Sequence, residues 1–151
     1  MLNEMIVGIV MNLLVMLVHL SATILLILMV TPFEKWLVKR PYLRLMVALI
    51  IVNIVLLAAH MVEVGLWAAV YAIRDLVADP ADAYYSAFVN YTTLGYGDVL
   101  QGTRTRLLGP MTAGSGILMF GWSTALLIYV LQGHLPRIAH SRIESKSDNE
   151  T

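Results

Sequence analysis

Three stretches of this chain, residues 5–30, 45–73 and 107–131, are almost wholly apolar, and each is long enough to cross the hydrocarbon core, which takes about 20 such residues in a helix. A backbone in hydrocarbon must satisfy its own hydrogen bonds, so each stretch is restricted to an α-helix. In a chain of 151 residues three spans leave room for connectors and not for a second soluble domain. The formal net charge is zero and Lys and Arg never run beyond a pair, so nothing points to a nucleic-acid partner. The lack of cysteine excludes disulfides, thiol catalysis and cysteine-based metal sites. The first apolar segment starts almost at Met1 with no basic region ahead of it, and reads as a retained span rather than a cleaved signal peptide.

The first span is interrupted only by Asn12, His19, Ser21 and Thr23, and Pro32 is expected to stop its helix. Residues 31–44 carry Lys35, Lys39, Arg40 and Arg44 against Glu34, with Phe33 and Trp36 suited to an interface, and read as a basic, water-facing connector. The second span ends in an aromatic belt of Trp67 and Tyr71, before Arg74 and Asp75 return the chain to water. Small residues crowd the third span (Gly109, Ala113, Gly114, Gly116, Gly121) and permit close helix approach. Residues 132–151 form a short polar tail. Basic residues are retained in the cytoplasm, and the 31–44 connector and tail hold seven of the ten. The stretch 74–106 has only Arg74, Arg104 and Arg106, beside Asp75, Asp79, Asp82 and Asp98. It is therefore expected outside, with the N-terminus also outside and the C-terminus cytoplasmic.

That outer stretch contains an apolar run from Ala83 to Tyr91, preceded by Asp79-Pro80-Ala81-Asp82, a good helix start. It is too short to cross a bilayer and reads as a re-entrant helix. Directly after it comes Thr92-Thr93-Leu94-Gly95-Tyr96-Gly97-Asp98. Irregular backbone is tolerated at membrane depth only where it is buried in protein or lines a water-filled cavity. Alternate glycines let successive residues take opposite-handed dihedrals, so that consecutive carbonyls point one way. Four such strands around an axis make rings of oxygens able to replace a cation's hydration shell, with the Thr93 hydroxyls as one more ring. The re-entrant helix would aim its negative C-terminal end at a cavity below, favouring a cation there.

The segment from Thr92 to Asp98 resembles the signature of pore-loop potassium channels, usually Thr-Thr-Val-Gly-Tyr-Gly-Asp, with Leu94 in place of the commoner Val. The resemblance covers about 45–131 and continues in Gly116-Ile117-Leu118-Met119-Phe120-Gly121, which is similar to the inner helix of bacterial two-span channels, with Gly116 at the hinge position and Gly121 as a second candidate. It implies an all-α membrane protein of three transmembrane helices plus a re-entrant pore helix and selectivity filter, assembled as a fourfold homotetramer in a bacterial inner membrane. The pore domain would comprise an outer helix 45–73, pore helix 83–92, filter 93–97 and inner helix 107–131. Residues 1–44 would be an additional N-terminal helix and cytoplasmic connector. Potassium would bind at Thr93, Leu94, Gly95, Tyr96 and Gly97 as the permeant ion, with no other cofactor, and Thr92, Asp98 and Tyr85 would support the filter. In some bacterial relatives a Glu on the pore helix pairs with the Asp after the filter; here Val89 stands at that place. Tyr85 replaces a frequent Trp, and its hydroxyl is expected to reach Asp98. The first span holds no Lys or Arg, so it is not a voltage sensor, and the tail is too short for a regulatory domain.

Ionisable groups inside spans are costly. His19 lies near the middle of the first span, and His60 and Glu63 near the middle of the second, three residues apart on one face. Antiparallel packing would bring the three together at the midplane, as a polar clamp fixing the extra helix to the pore or as a proton sensor. A metal site is a third reading, and the spacing carries no specific signature for it. The function expected is passive potassium conduction, with no catalysis. A weakly selective cation channel and a non-conducting accessory subunit are the rivals, and a membrane metalloenzyme on His19, His60 and Glu63 would leave the filter motif unexplained. A hydrophobic constriction is expected among 126–131.

Overall fold

The computed structural model describes the backbone of residues 1–36, 41–96 and 106–148, and the side chains of residues 1–29, 42–96 and 106–135. Among the described residues four α-helices follow one another: α1 (Leu2–Trp36), α2 (Pro41–Ile73), α3 (Ala83–Tyr91) and α4 (Leu108–Asp148). No strand occurs among the described residues. Segments Leu2–Met29, Tyr42–Ile73 and Leu108–Leu135 have the length and apolarity of membrane spans. With 9 residues, α3 measures about 14 Å, less than half the hydrocarbon thickness.

The helices outrun the expected boundaries. α1 does not stop at Pro32 but continues to Trp36, and α2 starts at Pro41, so the expected connector is helical at both ends. A proline inside a helix removes only one ladder hydrogen bond, a loss membrane helices tolerate. Past Leu131, α4 runs on to Asp148, so most of the expected tail is helical: adding a residue to an existing helix costs far less than starting one. α3 ends one residue early, with Thr92 as its cap.

Helix ends are closed by matching devices. The Asp79 carboxylate accepts from the Ala81 amide (2.9 Å) and opens a 3-10 turn, Pro80–Asp82, that leads into α3. At the end of α2 the Leu76 amide donates to the Tyr71 carbonyl (3.0 Å) around Asp75, whose φ is 51°. This is a left-handed cap, and aspartate tolerates that conformation.

α1 lies against both α2 and α4, and α3 fits between α2 and α4. In the half of the bundle that holds α3 the core joins all four helices: Met11 and Val15 meet Val64, Trp67 and Tyr71, Ala87 and Tyr91, and Met119. The other half is a thinner apolar layer of Leu26, Val52 and Leu56, with Leu126, Leu127 and Val130 packed on it. Outer faces are apolar too, as at Ile9, Leu13, Ile54, Leu57, Ile117 and Leu118, the inverse of a soluble helix and the pattern expected where lipid or a neighbouring subunit covers the surface.

Candidate functional site

The end of α3 sets the geometry of the segment that follows. The Thr93 amide donates to the Asn90 carbonyl (2.9 Å) and the Leu94 amide reaches back to Val89 (3.0 Å), with the Gly95 amide at 3.5 Å from the same oxygen. This is the six-to-one closure of a Schellman cap, with Thr93 in the left-handed position at φ 60°. A residue with a side chain costs about 1–2 kcal/mol there, and threonine, branched at Cβ, is a poorer choice than the Asp75 of the corresponding cap on α2. Gly95 is left-handed as well, at φ 58°. There are no cis peptides among the described residues, and in a trans peptide each carbonyl opposes the next amide. With the amides of 93–95 turned onto α3, the carbonyls of Thr92, Thr93 and Leu94 point away from it. The side chains here are exposed on the single chain, Leu94 at 61% and Tyr96 at 72%. Gly97 and Asp98 lie outside the described residues.

Both residues before Thr92 are hooked by side chains from α2. Asn90 donates from Nδ2 to the Tyr71 hydroxyl (3.1 Å), which donates to Thr112 Oγ1 on α4 (3.0 Å), which in turn donates to the Leu108 carbonyl (2.8 Å). One turn away the Trp67 indole donates to Ser115 Oγ (3.1 Å), Ser115 to Asn12 Oδ1 (2.7 Å), and Asn12 Nδ2 to the Gly8 carbonyl (2.9 Å). Each chain of donors ends on a carbonyl, leaving no hydroxyl proton unused.

Tyr91 enters a second, fully buried network. His19 Nδ1 lies 2.8 Å from Glu63 Oε1, and His60 Nδ1 lies 3.2 Å from Glu63 Oε2 and 2.9 Å from the Tyr91 hydroxyl. The Tyr91 hydroxyl donates to Glu63 Oε2. On the far side, Ser123 Oγ of α4 stands 3.0 Å from His60 Nε2 and 3.2 Å from His19 Nε2. The structure thus brings His19, His60 and Glu63 together and adds Tyr91 and Ser123, which sequence reasoning had not singled out. Ser123 had a signal in its spacing: Ser115, Met119 and Ser123 recur every four residues on the buried face of α4. Tyr91 had none, because the motif reads from Thr92 onward.

Of the expected hinge glycines, Gly116 backs directly onto the end of α3. A Cβ there would collide with the Tyr91 carbonyl oxygen and lie 2.8 Å from its carbon, so close approach alone requires glycine at 116. Gly121 meets nothing within 4 Å within the chain. Tyr85 is largely exposed, at 45%, and its expected partner Asp98 is outside the described residues. Neighbouring Tyr84 ties the start of α3 to α2 by donating to the Met61 carbonyl (3.1 Å). In the stretch 126–131, Leu126, Leu127 and Val130 pack toward α1 and α2, which leaves Ile128 and Tyr129 on the outer face.

Three membrane-length helices and one short helix capped by a left-handed turn define an all-helical integral membrane protein. Residues 49–133 match the family model described as an ion channel, and this chain belongs to that ion channel family. The match spans most of α2, all of α3 and the apolar length of α4, and leaves α1 outside it. No curated protein and no solved structure matches the chain.

Proposed function

We propose that this ion channel subunit conducts potassium selectively and passively, through a filter formed by residues 93–97 of four identical subunits around one axis. The observation that carries the reading is the cap of α3: the amides of Thr93, Leu94 and Gly95 turn back onto the helix and so aim successive carbonyls away from α3, as a carbonyl-lined ion path requires. Threonine in a strained left-handed position fits the same purpose, since it sets a hydroxyl beside those carbonyls. The uncovered side chains of Leu94, Tyr96, Ile117 and Leu118 supply the surface that neighbouring subunits would cover. Potassium is the cargo, and no other cofactor is required. The excess of Lys and Arg in residues 31–44 and 132–151 orients the N-terminus outside, in a bacterial inner membrane.

The test is a flux assay on the purified protein in liposomes, under potassium and then sodium gradients, with barium as blocker and Gly95→Ala as control. In the subunit a Cβ at Gly95 meets no atom within 4 Å, so this substitution acts through backbone strain at positive φ. Barium-sensitive potassium flux lost in the variant is the expected result. Equal potassium and sodium flux would replace the reading with a weakly selective cation pore, and no flux from folded protein with an accessory subunit.

A further inference from the structure

We propose that the buried cluster of His19, His60, Glu63, Tyr91 and Ser123 is a binding site for one proton, beyond those held by two neutral imidazoles and a carboxylate. Six close polar contacts hold the cluster: His19 Nδ1 to Glu63, His60 Nδ1 to the oxygens of Tyr91 and Glu63, Tyr91 to Glu63, and Ser123 to the Nε2 of each histidine. The two at His60 Nδ1 are branches of one three-centre bond, so five hydrogens must lie between the heavy atoms. With both imidazoles neutral and Glu63 ionised, the histidines, tyrosine and serine supply one hydrogen apiece, four in all. Whatever the tautomers, two acceptors then face each other with nothing between them. Either both histidines compete for the single Ser123 hydroxyl proton, or the Tyr91 proton is contested by His60 and Glu63, or a bare His19 Nδ1 faces the Glu63 carboxylate. A buried acceptor left without a donor costs about 1–3 kcal/mol, and the cluster would also bear a net negative charge in a span.

One added proton removes both defects. With His19 as imidazolium, its Nδ1 donates to Glu63 Oε1 and its Nε2 to Ser123. Ser123 then donates to His60 Nε2, His60 Nδ1 donates to the Tyr91 oxygen, and Tyr91 donates to Glu63 Oε2. Every contact then has a hydrogen, His60 Nδ1 sharing its one between the Tyr91 and Glu63 oxygens, and the net charge is zero. Turning the Ser123 hydroxyl to His19 gives an equally complete pattern with the charge on His60, so Ser123 is the bridge by which the proton passes between the rings. Sliding the proton along the His19–Glu63 contact onto the carboxyl keeps the same count.

Among the described residues the surroundings offer no other counter-charge. α1 contributes His19, α2 His60 and Glu63, α3 Tyr91, and α4 Ser123 with the rings of Trp122 and Phe120. α3 carries no charged residue, and no other Asp, Glu, Lys or Arg on α1, α2 or α4 lies within about three helical turns of the cluster. The contacts already span hydrogen-bonding distances, so a metal ion would have to break them, which favours the proton as occupant. The proton would join all four helices, ending at Tyr91, two residues before Thr93.

The test labels histidine with nitrogen-15 in full-length protein in lipid nanodiscs, with His134 and His140 replaced by glutamine, and counts imidazolium rings at pH 7. Infrared spectra of the same sample, compared with Glu63→Gln, report a protonated carboxyl. One proton per subunit, seen as a single imidazolium or as a protonated Glu63, is the expected result, with Ser123→Ala giving separate His19 and His60 signals in place of exchange-averaged ones. An ionised Glu63 with two neutral rings, or with two imidazoliums, would overturn the proposal, as would neutral rings with zinc bound on addition of zinc chloride. The count is read without any ion flux, so its failure leaves the conduction reading standing, and a failure of that reading leaves the count intact.

Discussion

The half of the bundle that holds α3 and the half that does not are built from the same three long helices, yet they are held together differently. Around α3 the helices are joined by side-chain hydrogen bonds running from Asn12 and His19 on α1, through Trp67, Tyr71 and Glu63 on α2, to Thr112, Ser115 and Ser123 on α4. The other half meets through Leu26, Val52, Leu56 and the leucines of α4. Lipid tails are as apolar as leucine, so apolar contact between membrane helices brings only van der Waals packing, whereas a polar side chain in hydrocarbon needs its partner. The difference separates a fixed half, which carries the expected filter, from a half where sliding of the helices is expected to cost less. Movement of α4 that leaves α3 undisturbed belongs below Ser123.

The largest way to break this comparison is to remove Glu63, on which two imidazoles and a phenol converge. Glu63→Ala strands those donors, and breaking a buried charged network costs about 3–5 kcal/mol. Leu56→Ala in the other half is expected to cost no more than about 2 kcal/mol, the low end for a buried leucine. Thermal unfolding in detergent, followed by circular dichroism, checks the order. Equal losses would mean that the polar links do not distinguish the halves.

A smaller effect is expected from Gly116→Ala. Its Cβ would strike the Tyr91 backbone, which cannot swing aside as a side chain would, and overpacking of this kind costs about 1–3 kcal/mol. Relief requires α3 to back away from α4, carrying Thr92 and Thr93 with it. The variant should therefore lose melting temperature and conduction together. Undiminished flux would show that the segment after α3 does not depend on this contact.

How much of this was legible in the sequence follows the range of the interactions involved. The spans were plain because bilayer thickness fixes helix length, and the short helix was plain because Asp79-Pro80-Ala81-Asp82 opens an apolar run too short to cross a bilayer. The meeting of His19 with His60 and Glu63 could be anticipated because two antiparallel helices joined by a short connector align their midpoints. The third and fourth walls could not: Ser123 and Tyr91 become partners only when α4 and α3 are set against α2, and no spacing along one helix encodes that. Helix ends were misjudged at Pro32 and Leu131, where breaking residues and a change in polarity gave less of a stop than expected. The Thr93 conformation was foreseen for the glycines alone, since the Schellman cap that imposes it depends on where α3 ends.

The smallest expected effect separates packing from bending along α4. Gly121 stands about one and a half turns below Gly116 and half a turn above Ser123, near the lower edge of the fixed half, and a Cβ there finds open space within the chain. Gly121→Ala should leave the fold intact, and it gains up to about 1 kcal/mol because alanine is the better helix former. If α4 bends at this glycine during opening, the same stiffening would lower flux while the melting temperature holds or rises. Gly116→Ala lowers both, so the pair of variants distinguishes a glycine needed for contact from one needed for motion. Unchanged flux and a raised melting temperature in Gly121→Ala would place any bending of α4 elsewhere, leaving the thin apolar layer around Leu126 and Leu127 as the place to look for it.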